Sequence, residues 1–141
     1  MIITCGAFVI DKNGSILLCR ATGTTNDWTV PKGLMEHYEP PHMAAKRELL
    51  EETGININKY TYKMYELGVS PYTHKSKVIV GFLFMVETVI EQTLFCESHF
   101  TEPLTKLRKP EVDMYMWLPV NEAIGIMRKE QVKLLKDYWK N

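Results

Sequence analysis

Apolar positions in the first part of the chain come as short β-branched and aromatic runs, without helical spacing. Residues 2–9 (IITCGAFV) read as a strand, Asp11-Lys12-Asn13-Gly14 as a hairpin turn, and residues 16–19 as the returning strand. Residues 21–27 are small and polar, a loop, and Trp28-Thr29-Val30 leads from it into Pro31-Lys32-Gly33. The spacing then changes. Ala45 and Leu49, with Leu50 at the edge, give one apolar side to a helix. Pro40-Pro41 suits its first turn, where proline gives up an N–H that has no helical partner, and Gly54 after Thr53 suits a left-handed stop.

Strands resume beyond that helix. Residues 55–59 connect to a strand around 61–67, and Ser70-Pro71-Tyr72-Thr73-His74 reads as a loop. Residues 78–86 form the most apolar run and mix β-branched with aromatic side chains, as a central strand would. Residues 88–110 have no clean period and read as a long irregular loop carrying short strands, of a kind that often faces substrate. Residues 112–118 alternate as a strand ending in Trp117-Leu118-Pro119. Asn121 is placed to cap a helix with Ala123, Ile124 and Met127 on one face. A second helical stretch, 130–139, carries Val132, Leu134, Leu135 and Tyr138. The expected architecture is an α/β/α sandwich, with a mixed central sheet between the first helix and a C-terminal helical layer.

A length of 141 residues fits one domain with a sizeable core. Lysine plus arginine balance aspartate plus glutamate, 17 against 17, which argues against a general nucleic-acid coat or a membrane-surface binder but leaves room for a local basic patch. Cys5, Cys19 and Cys96 are odd in number and match no metal spacing; Cys5 and Cys19 sit in apolar runs, as buried thiols in a reducing compartment do. The N-terminus lacks the charge and apolar stretch of a signal peptide, and no run approaches membrane-spanning length. A cytoplasmic location without a membrane partner is expected. Asn13-Gly14-Ser15 fits a glycosylation sequon but reads as a turn.

Chemistry concentrates in residues 33–55, GLMEHYEPPHMAAKRELLEETGI. Glu48, Glu51 and Glu52 are three and four apart, so their carboxylates are expected on one side of the helix. Like charges there repel. Arg47 neutralises one by pairing with Glu51 or with Glu39, and the remainder wants a cation. Carboxylate oxygens suit Mg²⁺ or Mn²⁺ better than Zn²⁺, which prefers His and Cys. An isolated acidic run of this kind reads first as a solvated face, as most charge runs are.

The full spacing changes that reading. Gly33, Glu39, Arg47-Glu48-Leu49, Glu51-Glu52 and Gly54-Ile55 resemble the Nudix hydrolase signature at every defined position. The resemblance implies a Nudix-type sandwich whose loop–helix–loop binds divalent metal and hydrolyses a nucleoside diphosphate linked to another moiety. It assigns Glu48, Glu51 and Glu52 to the metal site and catalysis, Glu39 and Arg47 to a structural ion pair, and the Lys32 backbone carbonyl to the metal. Tyr38 departs from it, since family members commonly have glycine there. Tyrosine resists positive φ, so the loop differs locally or the ring faces substrate.

Further candidates surround the signature. Glu111 is the candidate for an additional acid or metal ligand, set against an exposed loop glutamate and with Asp113 as its rival. Lys75 and Lys77 either meet a phosphate chain or mark a solvated strand entrance. His74, Cys96 and His99 read as non-ligands. Trp28-x-x-Pro31-Lys32-Gly33 and Glu111…Tyr115-x-Trp117 look similar to diadenosine polyphosphate hydrolases of the same family. That likeness implies Lys32 on phosphate and Tyr115 stacked on adenine, with core packing the alternative for Tyr115. The implied partner is a small nucleotide, most simply diadenosine tetraphosphate; no protein partner is predicted. Removal of pyrophosphate or a cap from an RNA 5′ end and housecleaning of nucleoside triphosphates use the same chemistry. Diphosphoinositol polyphosphates would need a strongly basic pocket, and the Lys and Arg here are scattered. A non-catalytic nucleotide-sensing module is the reading from a different class, and the intact signature argues against it.

Overall fold

A computed structural model describes residues 1–73 and 76–139. In chain order the elements begin with β1 (Ile2–Ile10), β2 (Ser15–Ala21), β3 (Trp28–Thr29), β4 (Lys32–Leu34) and α1 (Pro41–Thr53). A 3-10 turn (Ile57–Lys59) leads to β5 (Tyr62–Pro71) and β6 (Lys77–Val86). Then come β7 (His99–Thr101), β8 (Arg108–Pro110), β9 (Val112–Pro119), α2 (Val120–Ala123) and α3 (Lys129–Trp139).

β1 is the spine of a mixed sheet. It runs parallel to β6 along its whole length and antiparallel to β2 and β4, while β5 flanks β6, and β3 and β9 flank β2. Seven of its nine residues are buried. Alternate side chains enter opposite layers: Cys5, Ala7 and Val9 join one core cluster, Phe8 and Ile10 the other. A strand covered on both faces has no solvent side, so its sequence is apolar almost throughout, with the buried Thr4 bonding through its hydroxyl to Val78 O.

The two clusters define the layers. Ala44, Ala45 and Leu49 of α1 pack on Leu17, Phe82 and Phe84. Across the sheet, Ala123, Met127, Leu134 and Leu135 pack on Ile16, Leu18, Ile79 and Leu83. This is the expected α/β/α sandwich. At the β1–β2 hairpin the Asp11 carboxylate accepts the N–H groups of Asn13 and Ser15, and Gly14 takes the positive φ of 79° that the turn requires. Among the described residues, no helix is long and apolar enough to cross a membrane.

The structure corrects several boundaries. Ser70 and Pro71, read as loop, end β5; this is an edge strand, where a proline N–H is not missed. Its register shifts between Glu66 and Gly68, which interrupts the alternation that would have announced its full length. Asn121 does not cap α2, because Pro119 precedes the first turn and Asn121 lies inside a helix of only four residues. Lys32, Gly33 and Leu34 form a short strand on β1 and not simply a loop. The short strands expected within 88–110 are present: β7 pairs with β8 as a separate two-stranded sheet.

One buried polar side chain ties the C-terminal layer to the segment that enters β4. Gln131 has no solvent exposure; its Oε1 accepts the Val30 N–H at 3.0 Å and its Nε2 donates to Thr29 Oγ1 at 2.6 Å. Gln131→Leu keeps the volume and leaves the Val30 N–H without a partner in a dry site. Urea unfolding should register a loss of about 1–3 kcal/mol. A variant as stable as the wild type would show that the clamp contributes nothing.

Candidate functional site

Local chemistry fixes α1 at both ends. Pro40 is extended (φ −62°, ψ 150°), Pro41 opens the helix, and Gly54 at φ 79° returns its N–H to the Leu50 carbonyl. Thr53 Oγ1 donates to Leu49 O and accepts the N–H of Ile55, closing the last turn. With both ends set, the directions of Glu48, Glu51 and Glu52 are set as well.

Arg47 is the hub. Its Nε and Nη2 donate to the two oxygens of Glu39 at 3.0 and 2.6 Å, and Nη2 also reaches Leu34 O at 2.9 Å. Nη1 donates to Glu48 at 2.9 Å and to Glu51 at 3.1 Å. Glu39 in turn accepts the N–H of Glu36, so one guanidinium fastens the loop before the helix to the helix itself. Hydrogen bonding to Arg47 holds the Glu39 carboxyl below its usual range and raises Arg47 in return.

Glu48 and Glu52 are buried, 6% and 5% exposed. The Glu48 carboxyl lies directly over Gly33: a Cβ there would stand 2.2 to 2.3 Å from its three carboxyl atoms, so only glycine admits it. Glu52 accepts the Lys32 backbone N–H at 3.3 Å. Burial raises the Glu48 pKa despite Arg47, and burial followed by the charge of Glu48 raises Glu52 well above the usual range. Arg47 draws Glu48 and Glu51 to itself, Glu52 accepts the Lys32 N–H, and the Glu48 and Glu52 side chains lie within hydrogen-bonding reach of each other. Among the described residues, no three His, Cys, Asp or Glu side chains close into a ready ligand cage.

Beside them is a cleft of about 300 Å³, lined in part by Lys32, Gly33, Glu48, Glu51, Lys77 and Glu111. A recess of about 90 Å³ shares Lys32 and Glu111 and adds Glu52 and Arg128. The fold thus brings together six sequence candidates: Glu48, Glu51, Glu52, Glu111, Lys32 and Lys77. Lys32 is half-buried, and its pKa is lowered by burial, then by the positive charge of Arg128. Lys77 stands at the start of β6 with its ammonium 4.8 Å from the Tyr72 ring centre. Lys75 and His74 lie outside the described residues.

Two candidates sit elsewhere. Asp113 pairs with Arg20 at 3.1 Å. Tyr115 donates its hydroxyl to the Glu52 carbonyl and packs its ring against the core beneath α1, so stacking on a base is not assigned to it. Tyr38 is 88% exposed, its ring edge-on to His37. Arg128 escaped the sequence reading. It makes two hydrogen bonds to Asp27, at 2.8 and 2.7 Å, across 101 residues of sequence that no local pattern connects. Ser98, also in the cleft wall, was hidden in the irregular 88–110 segment.

The donor chemistry fits a hard divalent cation. All the acidic groups offer oxygen, two are buried with raised pKa values, and Arg47 alone balances several of them. A larger groove of about 630 Å³ between residues 124 and 137 is lined by lysine and apolar side chains with one acid, Asp137, and lacks that chemistry.

The chain is similar to known proteins over nearly its whole length. The RNA pyrophosphohydrolase of Tolumonas auensis is 25% identical over 150 residues, spanning 94% of this chain and 81% of that protein. Among solved structures, a C. elegans Ap4A hydrolase in a binary complex superposes with a TM-score of 0.72 at 20% identity, over 97% of this chain and 96% of that one. The MutT protein from Methanosarcina mazei Go1 gives 0.70 at 18% identity, over 99% and 93%. At these identities the two structures speak to the fold alone. The family model described as NUDIX domain matches residues 2–138, nearly the whole chain, and the protein therefore belongs to the NUDIX family.

Proposed function

We propose that this NUDIX-family pyrophosphohydrolase cleaves a phosphoanhydride bond of a dinucleoside polyphosphate, such as diadenosine tetraphosphate, at a divalent metal held by Glu48, Glu51 and Glu52 with the Lys32 carbonyl. The observation that carries the reading is the composition of the cleft: Glu48, Glu51 and Glu111 line the same space of about 300 Å³ as the ammonium-bearing Lys32 and Lys77. Carboxylates suit the metal and lysines suit the phosphates.

Bound Mg²⁺ or Mn²⁺ supplies neutralisation of the phosphate chain and a water of lowered pKa. The chain's own residues do the rest. Arg47 holds Glu48 and Glu51 in place and keeps the preceding loop closed on the helix. Lys32 and Lys77 take up phosphate charge and set the chain along the cleft. Glu111 is exposed and not tied to Arg47, which suits it to accept the proton of an attacking water. Removal of pyrophosphate from an RNA 5′ end is the second reading, favoured by the relative of that name that aligns over 94% of the chain. Both substrates present a nucleoside on a phosphate chain.

A substrate panel with Mg²⁺ or Mn²⁺ separates the two. Diadenosine tetraphosphate should yield ATP and AMP; turnover of triphosphorylated RNA alone would transfer the assignment to the second reading. Glu51→Gln and Glu52→Gln should each lower kcat by about two orders of magnitude or more without changing the circular dichroism. Mg²⁺ should also raise the unfolding midpoint of the wild type more than that of either variant. Wild-type rates and wild-type metal response in both would sink the metal-site assignment.

Gly33→Ala tests the acidic wall from the other side. The new methyl meets the end of a side chain, so Glu48 must swing away while the backbone stays in place. A fall in kcat of about tenfold or more is expected, with an unfolding midpoint near wild type. Unchanged kinetics would mean that the position of the Glu48 carboxylate over β4 does not matter.

A further inference from the structure

The hairpin of β7 and β8 rises from the cleft, and none of the chemistry above uses it. Its root is part of the cleft wall: Ser98 and Glu111 both line the cleft, and the Glu111 N–H donates to Ser98 O at 2.9 Å. Pairing continues outward as His99 with Pro110, Phe100 with Lys109, and Thr101 with Arg108. Side chains alternate along strands, so Phe100 and Lys109 return to the face that Ser98 and Glu111 occupy at the root. They stand about 7 Å farther out, one full period of the strand. Arg108 and Thr101 belong to the opposite face.

On the cleft-side face, Lys109 is steadied by an ion pair with Glu102. Phe100 directly opposite is 37% exposed and belongs to neither core cluster. A large ring that stabilises no core, beside a fixed cation, on the continuation of a polyphosphate cleft, matches the pairing of base and phosphate within one nucleotide.

Resting on the dinucleoside polyphosphate reading, we propose that Phe100 and Lys109 form a subsite for the second nucleoside, with Phe100 stacked on its base and Lys109 on the phosphate next to it. This gives the 98–111 hairpin a role in substrate choice: it recognises what lies beyond the phosphate chain.

The test uses two ligands with the same four phosphates. Diadenosine tetraphosphate carries the second nucleoside and adenosine 5′-tetraphosphate does not. For the protein with Mg²⁺, Phe100→Ala should raise KM for diadenosine tetraphosphate about tenfold, the scale of one lost base–aromatic stack, with kcat little changed. The inhibition constant of adenosine 5′-tetraphosphate should stay the same, Phe100→Trp should restore the low KM, and the unfolding midpoint of Phe100→Ala should match wild type. Lys109→Gln should raise the same KM about threefold. Equal weakening of both ligands, or an unmoved KM for the dinucleotide, would overturn the subsite while leaving the activity assigned. A wild-type protein that cleaves other nucleotides but not diadenosine tetraphosphate would overturn the substrate reading itself, and the subsite with it.

Discussion

Two carboxylates buried against a strand backbone set the terms for the rest of this structure. Glu48 and Glu52 are removed from water between α1 and β4, where ionised groups are costly unless something answers them. The backbone answers first, with a bare glycine Cα under Glu48 and the Lys32 N–H toward Glu52. Arg47 answers next, and because it also grips Glu39 and the Leu34 carbonyl, satisfying the acids simultaneously closes the loop between β4 and α1. Stability and site geometry are the same set of contacts here. The charge still unanswered is what a divalent cation would meet.

The sheet supplies the rigidity that this arrangement needs. β4 is only three residues long and would not hold a shape alone, but it is laid on β1, which is buried on both faces. Gln131 anchors the preceding residues from the opposite layer, and Tyr115 braces the end of α1 through the Glu52 carbonyl. Acidic side chains that repel one another are thus mounted on backbone positions fixed from both sides of the sheet. Lys32 is carried by the same strand and lines the same cleft as the acids.

What could be read in the sequence was what depends on neighbours in sequence. The strand–turn–strand of residues 2–19 was legible because apolar runs flank an Asp-x-Asn-Gly turn, and α1 because proline, glycine and apolar spacing agree on its ends. The acid box carried its own spacing. The same local rules failed at β5, where a bulge at Gly68 breaks the period, and at β4, which is a strand only because β1 is beside it. Tyr115 reads from sequence as a candidate aromatic platform; its hydroxyl bond to Glu52 joins residues 63 apart. Arg128 and Asp27 were invisible for the same reason. The hairpin at 98–111 offered too few residues per strand for any alternation to stand out.

The parallel pairing of β1 with β6 has a consequence for assembly. Its partners, Ile2 with Lys77 through Ile10 with Met85, are separated by some 75 residues, so closing that ladder is a late and entropically expensive contact during folding. The face on which α1 packs is made from both strands, with Ala7 and Val9 from one and Phe82 and Phe84 from the other. A nascent chain that has emerged only as far as Ile55 therefore contains every residue of the acidic signature but lacks half of the surface that would bury it. The buried setting of Glu48 and Glu52 thus depends on strand residues as far along the chain as 86, and the cleft beside them also needs Ser98 and Glu111.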